Sequence, residues 1–270
     1  MKRILAGLAV SSLSLLAAGA LIRPHEQAAS TGAGAAHVPV VIELFTSEGC
    51  SSCPPADAFL ARMTEQQFSG NVQLITLEEH VDYWNELGWV DPFSSRDWTA
   101  RQYAYAGALK NGNPYTPQMV VDGAAEFVGS HTQKAREVIL EAARKPKIPV
   151  ILSLGGGNQA GKENIHVEVG EREGALKSEE REVWLAITET GLHSAVTRGE
   201  NAGEDLHHAA VVRSMRKIGE AKANGETSFT GDVSVALRAE WKRENLKAVA
   251  FVQERKSRRI LGAAEIRIAQ

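Results

Sequence analysis

Val38 to Phe45 is an apolar, β-branched run with Pro39 near its start and one interruption, Glu43. It predicts a buried central strand, because proline is tolerated where a strand begins. A carboxylate inside such a strand has to be paired, protonated or turned to water at an edge. Thr46 to Gly49 predicts a turn. Pro55 to Phe68 carries Phe59, Leu60 and Met63 at helical spacing, and Gly70-Asn71 stops it. Pro54 lacks a backbone donor and biases Cys53 away from helical geometry, so the regular helix is expected only from Pro55. Val72 to Leu77 predicts a second strand, parallel to the first because a helix joins them. Ser95 or Asp97 caps an expected helix that runs to Leu109, with Trp98, Tyr105 and Leu109 inward. Pro117 enters a strand that ends in a hairpin turn at Asp122-Gly123, and Glu126 to Val128 returns. Ser130 caps a further helix, Gln133 to Arg144.

At Lys145-Pro146-Lys147 the pattern changes. Short apolar runs follow at Val150 to Leu154, Ile165 to Val169, Val183 to Thr188, Ala209 to Met215, Val233 to Leu237, Ala248 to Val252 and Ile260 to Ile268. Repeated short strands with turn signals such as Gly155 to Gly157 predict a β-sandwich. The organisation expected is an α/β domain over 37–146 and a sandwich-like all-β domain over 147–270.

The 270 residues are 43% hydrophobic and 23% charged, with a formal net charge of −3. That is globular composition, enough for about two domains. Without a basic patch, nothing points to a nucleic-acid partner. Lys2 and Arg3 precede an apolar stretch, Ile4 to Ile22, in which Ala18-Gly19-Ala20 offers a small-x-small cleavage site. This reads as an export signal of about residues 1–20, followed by a small, polar lead-in to residue 36. The competing reading is an uncleaved anchor, which the serines and glycines of the run disfavour. No stable membrane span is expected after cleavage. The expected location is periplasmic or secreted.

The only two cysteines, Cys50 and Cys53, stand as Cys-x-x-Cys between the first strand and the first helix. Two cysteines in an exported chain can simply form a structural bridge. A bridge across two residues closes a very small loop, however, and stabilises little on the chain-entropy model. The spacing fits redox exchange or metal binding better. Cys50, nearer the strand end, is expected to be the more exposed, attacking thiol, with Cys53 resolving. The carboxyl ends of strands in an open α/β sheet face one side, so His80, Asp82 and Trp84 are expected within reach of the dithiol. Trp89, Phe93 and Trp98 read as core or groove wall. His207-His208 and the Arg198 to Gly203 loop read as surface structure.

The run Glu43 to Asp57, with Cys50-Ser51-Ser52-Cys53-Pro54-Pro55-Ala56-Asp57 at its centre, closely resembles a family of secreted bacterial proteins catalogued as a domain of unknown function with a thioredoxin-like fold. His80-Val81-Asp82-Tyr83-Trp84, Leu87-Gly88-Trp89, Asp91-Pro92-Phe93, Tyr115-Thr116-Pro117-Gln118-Met119 and Arg198 to Gly203 match it too. The resemblance implies a thioredoxin-like first domain and export. By looser similarity to thioredoxins, Thr116-Pro117 takes the place of the cis-proline beside the dithiol, and Glu43 that of the buried acid. Pro54-Pro55 and the lack of an aromatic residue just before Cys50 depart from that pattern.

The favoured expectation is an exported thiol–disulfide oxidoreductase with Cys50 and Cys53 catalytic, needing no cofactor. Pro117, Thr116, Glu43, His80, Asp82 and Trp84 would support it. Its partner would be a protein or small-molecule thiol or disulfide. One alternative is a Cu(I) metallochaperone that binds through Cys50, Cys53 and His80. A second is a binding module with a permanently closed disulfide.

Overall fold

The computed structural model describes residues 37–66, 68, 70–110, 112–156, 161–171, 180–222 and 227–268. The expected export signal and lead-in lie outside them. The first half contains β1 (Val38–Thr46), α1 (Pro54–Glu65), β2 (Val72–His80), α2 (Arg96–Leu109), β3 (Gln118–Val121), β4 (Ala125–Val128) and α3 (Thr132–Ala143). The second half is all strand: β5 (Val150–Leu154), β6 (Lys162–Gly170), β7 (Arg181–Glu189), β8 (Leu192–Ala195), β9 (Asp205–His208), β10 (Val211–Ala221), β11 (Thr227–Ala236), β12 (Leu246–Glu254) and β13 (Ile260–Arg267). No helix among the described residues is long and apolar enough to cross a membrane.

The strands do not separate into two domains' worth of sheet. One mixed sheet of eight strands runs β13-β12-β7-β10-β2-β1-β3-β4, and so takes four strands from each half of the chain. This overturns the expectation of an α/β thioredoxin-like domain followed by a sandwich. The chain is mostly β, with thirteen strands to three α-helices among the described residues. Its main sheet is continuous where a domain break was expected. The seam is the parallel pairing of β10 with β2 at Val211 and Glu78, supported by the Glu78 amide donating to the Ala210 carbonyl at 2.9 Å.

Strand alternation sorts the core into layers. In β1, Val40, Ile42 and Leu44 face α1 and α3, packing with Ala56, Leu60 and Ile139. Val41 faces the other way, into a layer with Ile75, Leu77, Trp98 and Phe251. In β7, Val183, Leu185 and Ile187 face a three-stranded sheet, β11-β6-β5, while Ala186 faces the layer of Val41. Strands buried on both faces read as continuous apolar runs, so their sequence does not say which sheet they join.

The expected hairpin turn joins β3 to β4. Asp122 and Gly123 have φ of 48° and 60°, as a type I′ turn requires. A side chain at Gly123 would also collide with the carbonyl of Arg258, so the β12–β13 turn closes against this one. The start of α1 differs from expectation. The helix begins at Pro54, with Cys53 as its N-cap in right-handed helical geometry, φ −80° and ψ −39°. Pro54 and Pro55 occupy the first two helical positions, whose amides would have no intrahelical partner in any case.

Glu43 is neither solvated nor directed at the dithiol. It points with Val41 away from α1 and is fully buried, accepting hydrogen bonds from Arg101 and Tyr105 of α2. Glu79 faces the same pocket, 3.5 Å from Arg101 Nε, and neither of its carboxylate oxygens has a hydrogen bond. Burial, followed by the charge of Glu43, holds the Glu79 pKa well above the ordinary range. An acid whose pKa is raised by folding contributes most where it is protonated in both states, and its contribution is lost as pH rises toward the folded value. Glu79→Gln is therefore expected to raise the thermal midpoint at pH 8, by an increment that shrinks toward pH 5. Calorimetry across that window checks it, and an unchanged or lower midpoint at pH 8 contradicts it.

Candidate functional site

The β1 strand ends at Thr46, and the chain turns through Ser47 to Gly49 into Cys50. The Cys50 amide donates to the Ser47 carbonyl, and the Cys53 amide to that of Cys50, each at 3.1 Å. Cys50 and Cys53 are joined in a disulfide with Cα atoms 5.4 Å apart, inside the usual range. Ser51 and Ser52 are exposed, but both cysteines are fully buried. The expected exposure of Cys50 is thus not found.

The cover is the Arg198 to Gly203 loop, which sequence reasoning set aside as surface. Asn201 Nδ2 donates to the carbonyls of Glu48 and Cys50, at 2.8 and 3.1 Å, and the Ser51 amide donates to Glu200 at 3.2 Å. Gly199, with φ of 80°, lets this loop close on Trp89, whose Cβ would lie 3.2 Å from a side chain placed there.

Thr116–Pro117 is cis, as expected. The Trp84 indole donates to the Thr116 hydroxyl at 2.8 Å, and the Trp84 Cβ abuts Gly49. Thr116, Trp84 and the disulfide turn therefore form one neighbourhood. Pro117 and Ala56 of α1 both border Gly129. Asp82 is engaged elsewhere: the Thr99 hydroxyl of α2 donates to it at 2.6 Å.

Beneath the disulfide turn lies a buried polar cluster. In β2, Glu78 and His80 alternate onto the α1 face with Thr76, which meets Thr64 of α1. His208, at the end of β9, comes down onto them. Its Nδ1 lies 2.9 Å from Glu78 Oε1 and its Nε2 lies 3.1 Å from Glu48 Oε1. The Trp89 indole donates to the other Glu48 oxygen at 2.7 Å. His80 Nδ1 is 2.7 Å from Asp91, which also accepts from the Glu48 amide at 2.9 Å. Asp57, in the first turn of α1, accepts from the Thr46 hydroxyl at 2.6 Å, and its second oxygen has no partner.

Burial opposes charge throughout this cluster, and the neighbours decide the outcome. For His208, burial lowers the pKa but Glu78 and Glu48 lift it to about 9. Burial likewise works against His80, yet Asp91 holds it well above its usual value. Glu78 and Asp91, despite their burial, are kept below the carboxylate range by His208 and His80 respectively. Asp57 goes the other way: burial, reinforced by Glu78, pushes it up to about 7.

Of the expected site residues, Cys50, Cys53, Thr116 and Trp84 come together. His80 lies below them with carboxylates and rings as its partners, including His208 at 4.6 Å between ring centroids. Among the described residues, the group whose ligand atoms converge is Glu78, His80 and His208, without either cysteine. Sequence reasoning missed Asp57, Glu78 and Asp91, and set His208 aside as surface. For His208 a signal existed: Leu206 and His208 alternate inward while His207 is exposed.

Two neutral hydrogen bonds contribute about 1 kcal/mol each, so losing both from Asn201 favours opening of the cover by roughly 10- to 30-fold. Asn201→Ala is expected to speed disulfide reduction by excess phosphine by that factor, with a loss of global stability of about 2 kcal/mol or less. Thiol labelling over time measures this, and an unchanged rate contradicts the assignment of the loop as cover.

Two solved structures are similar along most of the chain. A crystal structure of a protein from Agrobacterium tumefaciens aligns with a TM-score of 0.66 at 25% identity, covering 87% of this chain and 96% of that one. HBP35 of Porphyromonas gingivalis aligns with a TM-score of 0.65 at 15% identity, covering 87% of this chain and 76% of that one, a likeness of fold alone. No curated protein matches the chain. The family model described as "Protein of unknown function (DUF1223)" matches residues 41–253, from β1 through the disulfide, the buried cluster and its cover to β12, and the chain belongs to that family.

Proposed function

We propose that the protein is an exported thiol–disulfide oxidoreductase acting through Cys50 and Cys53 on a protein or small-molecule thiol. The observation that carries this reading is a two-residue disulfide at a strand–helix junction whose main chain is bonded to two side chains, Asn201 and Glu200, of one loop. Such a bridge adds little as a staple, so a structural role explains its position poorly.

In the reduced protein, the Cys50 thiolate attacks a substrate disulfide, forms a mixed disulfide and releases one substrate thiolate. Cys53 then attacks Cys50 Sγ and expels the second substrate thiolate, closing the Cys50–Cys53 bridge. Two electrons pass to the substrate, and the protons of the two cysteine thiols end on the two substrate thiolates. Running backwards, the same steps oxidise a substrate dithiol. Asp57, four residues beyond Cys53 and with a pKa near 7, is the acid suited to handle the Cys53 proton, in place of Glu43. Substrate entry requires the 198–203 loop to lift from the turn.

Equilibration in glutathione buffers, followed by thiol quantification and an insulin-reduction assay, tests the reading. The expected result is a bridge that opens within the range those buffers span, with turnover lost in Cys50→Ser. Asp57→Asn should slow exchange at pH 7 by about tenfold or more while leaving the bridge able to form. A bridge that stays closed throughout, with no turnover, would sink the enzyme assignment and leave a binding module with a permanent disulfide.

A further inference from the structure

The buried cluster carries more histidine and carboxylate than thiol exchange uses. We propose that Glu78, His80 and His208 form a binding site for a divalent transition metal of the zinc class. Their ligand atoms all lie within 4.8 Å of one another. His208 Nδ1 and His80 Nε2 stand 2.9 and 3.7 Å from the same oxygen, Glu78 Oε1. Ligands about 2.0–2.2 Å from a tetrahedral zinc are separated by roughly 3.4 Å, so shifts of an ångström or less bring the three donors into place.

A second observation points to a ligand. His80 Nε2 is fully buried, faces Glu78 and His208, and has no hydrogen-bond partner. Its other nitrogen is held by Asp91 at 2.7 Å, which fixes the ring with Nε2 aimed into the group, where a metal ion would displace the Nε2 proton. His208 is held in a related way. Glu48 fixes its Nε2 at 3.1 Å, and its Nδ1, bonded to Glu78 at 2.9 Å, faces the ligand position. Each histidine thus has its outer nitrogen fixed by a carboxylate, as metal-ligating histidines commonly do.

The charge also fits. Glu48, Glu78 and Asp91 bring three carboxylates into a fully buried space, where a dication that displaces the two histidine protons keeps the charge balance. Two imidazoles with one carboxylate suit zinc and its first-row neighbours rather than magnesium or calcium, which prefer oxygen alone. Glu78 and His80 sit two residues apart on one strand, and His208 arrives from 128 residues beyond His80 across the β10–β2 seam. A metal here would tie the two halves of the main sheet together just below the disulfide turn.

The test uses the full chain with the disulfide closed, stripped by chelator and titrated with zinc against a chromophoric competitor. One zinc per chain is expected. X-ray absorption of the loaded protein should show two imidazoles and carboxylate oxygen, and no sulfur. His80→Ala and His208→Ala should each lower affinity at least 100-fold. Asp91→Asn keeps all three ligands and should weaken binding about 10- to 100-fold. The double variant His193→Ala/His207→Ala, which removes an exposed histidine pair, should bind as the wild type does. If the ligand variants fail to fold, the absorption spectrum and Asp91→Asn decide. No zinc uptake, sulfur in the shell, unchanged affinity in Asp91→Asn, or loss of binding in the surface double variant would each overturn the proposal. None of these readouts depends on disulfide turnover, so the two readings fail separately.

Discussion

His208 meets Glu48 across 160 residues of sequence, through side chains that are both fully buried. Much of the site depends on this contact, because Glu48 is where four segments converge. Its side chain holds His208 of β9 and the Trp89 indole. Its amide donates to Asp91, and its carbonyl accepts from Asn201. The next residue but one is Cys50. A buried carboxylate is tolerated only when its partners are fixed, and removing one partner of such a pair costs about 3–5 kcal/mol. The disulfide turn, the aromatic loop after β2, the covering loop and β9 are thereby held in one arrangement.

The local elements were legible in the sequence because each is written in a local signal. Val38 to Phe45 alternates between two buried faces, Ser95 caps α2, and Asp122-Gly123 makes the hairpin. The sheet as a whole was not legible. β7, β10 and β12 read as strands, yet nothing in their residues distinguishes joining β2 from building a separate sandwich. That choice is made by one short parallel pairing at Val211 and by the Glu78 carboxylate accepting from the Ala209 amide at 2.9 Å. Both are contacts between residues more than 120 positions apart.

The candidate site shows the same division. Cys50 and Cys53 announce themselves by spacing, and Thr116-Pro117 by its entry into β3. Asn201 bonds the Cys50 carbonyl and Glu200 accepts from the Ser51 amide, pairings that no local pattern in the sequence announces. Glu43 was legible as a buried acid but not its direction, since one residue of register separates the α1 face from the α2 face. Position 43 falls on the side of Arg101 and Tyr105. Asp57, within the cysteine-bearing motif itself, is the acid that falls on the side of the dithiol.

The central claim is that the Glu48–His208 contact couples the disulfide turn to the second half of the chain. A double-mutant cycle with Glu48→Gln and His208→Gln, read by urea unfolding with the disulfide closed, tests it most directly. The account predicts a coupling energy of about 1–3 kcal/mol between the two substitutions. Effects that add within about 0.5 kcal/mol would contradict it, leaving the two residues as neighbours without a shared role.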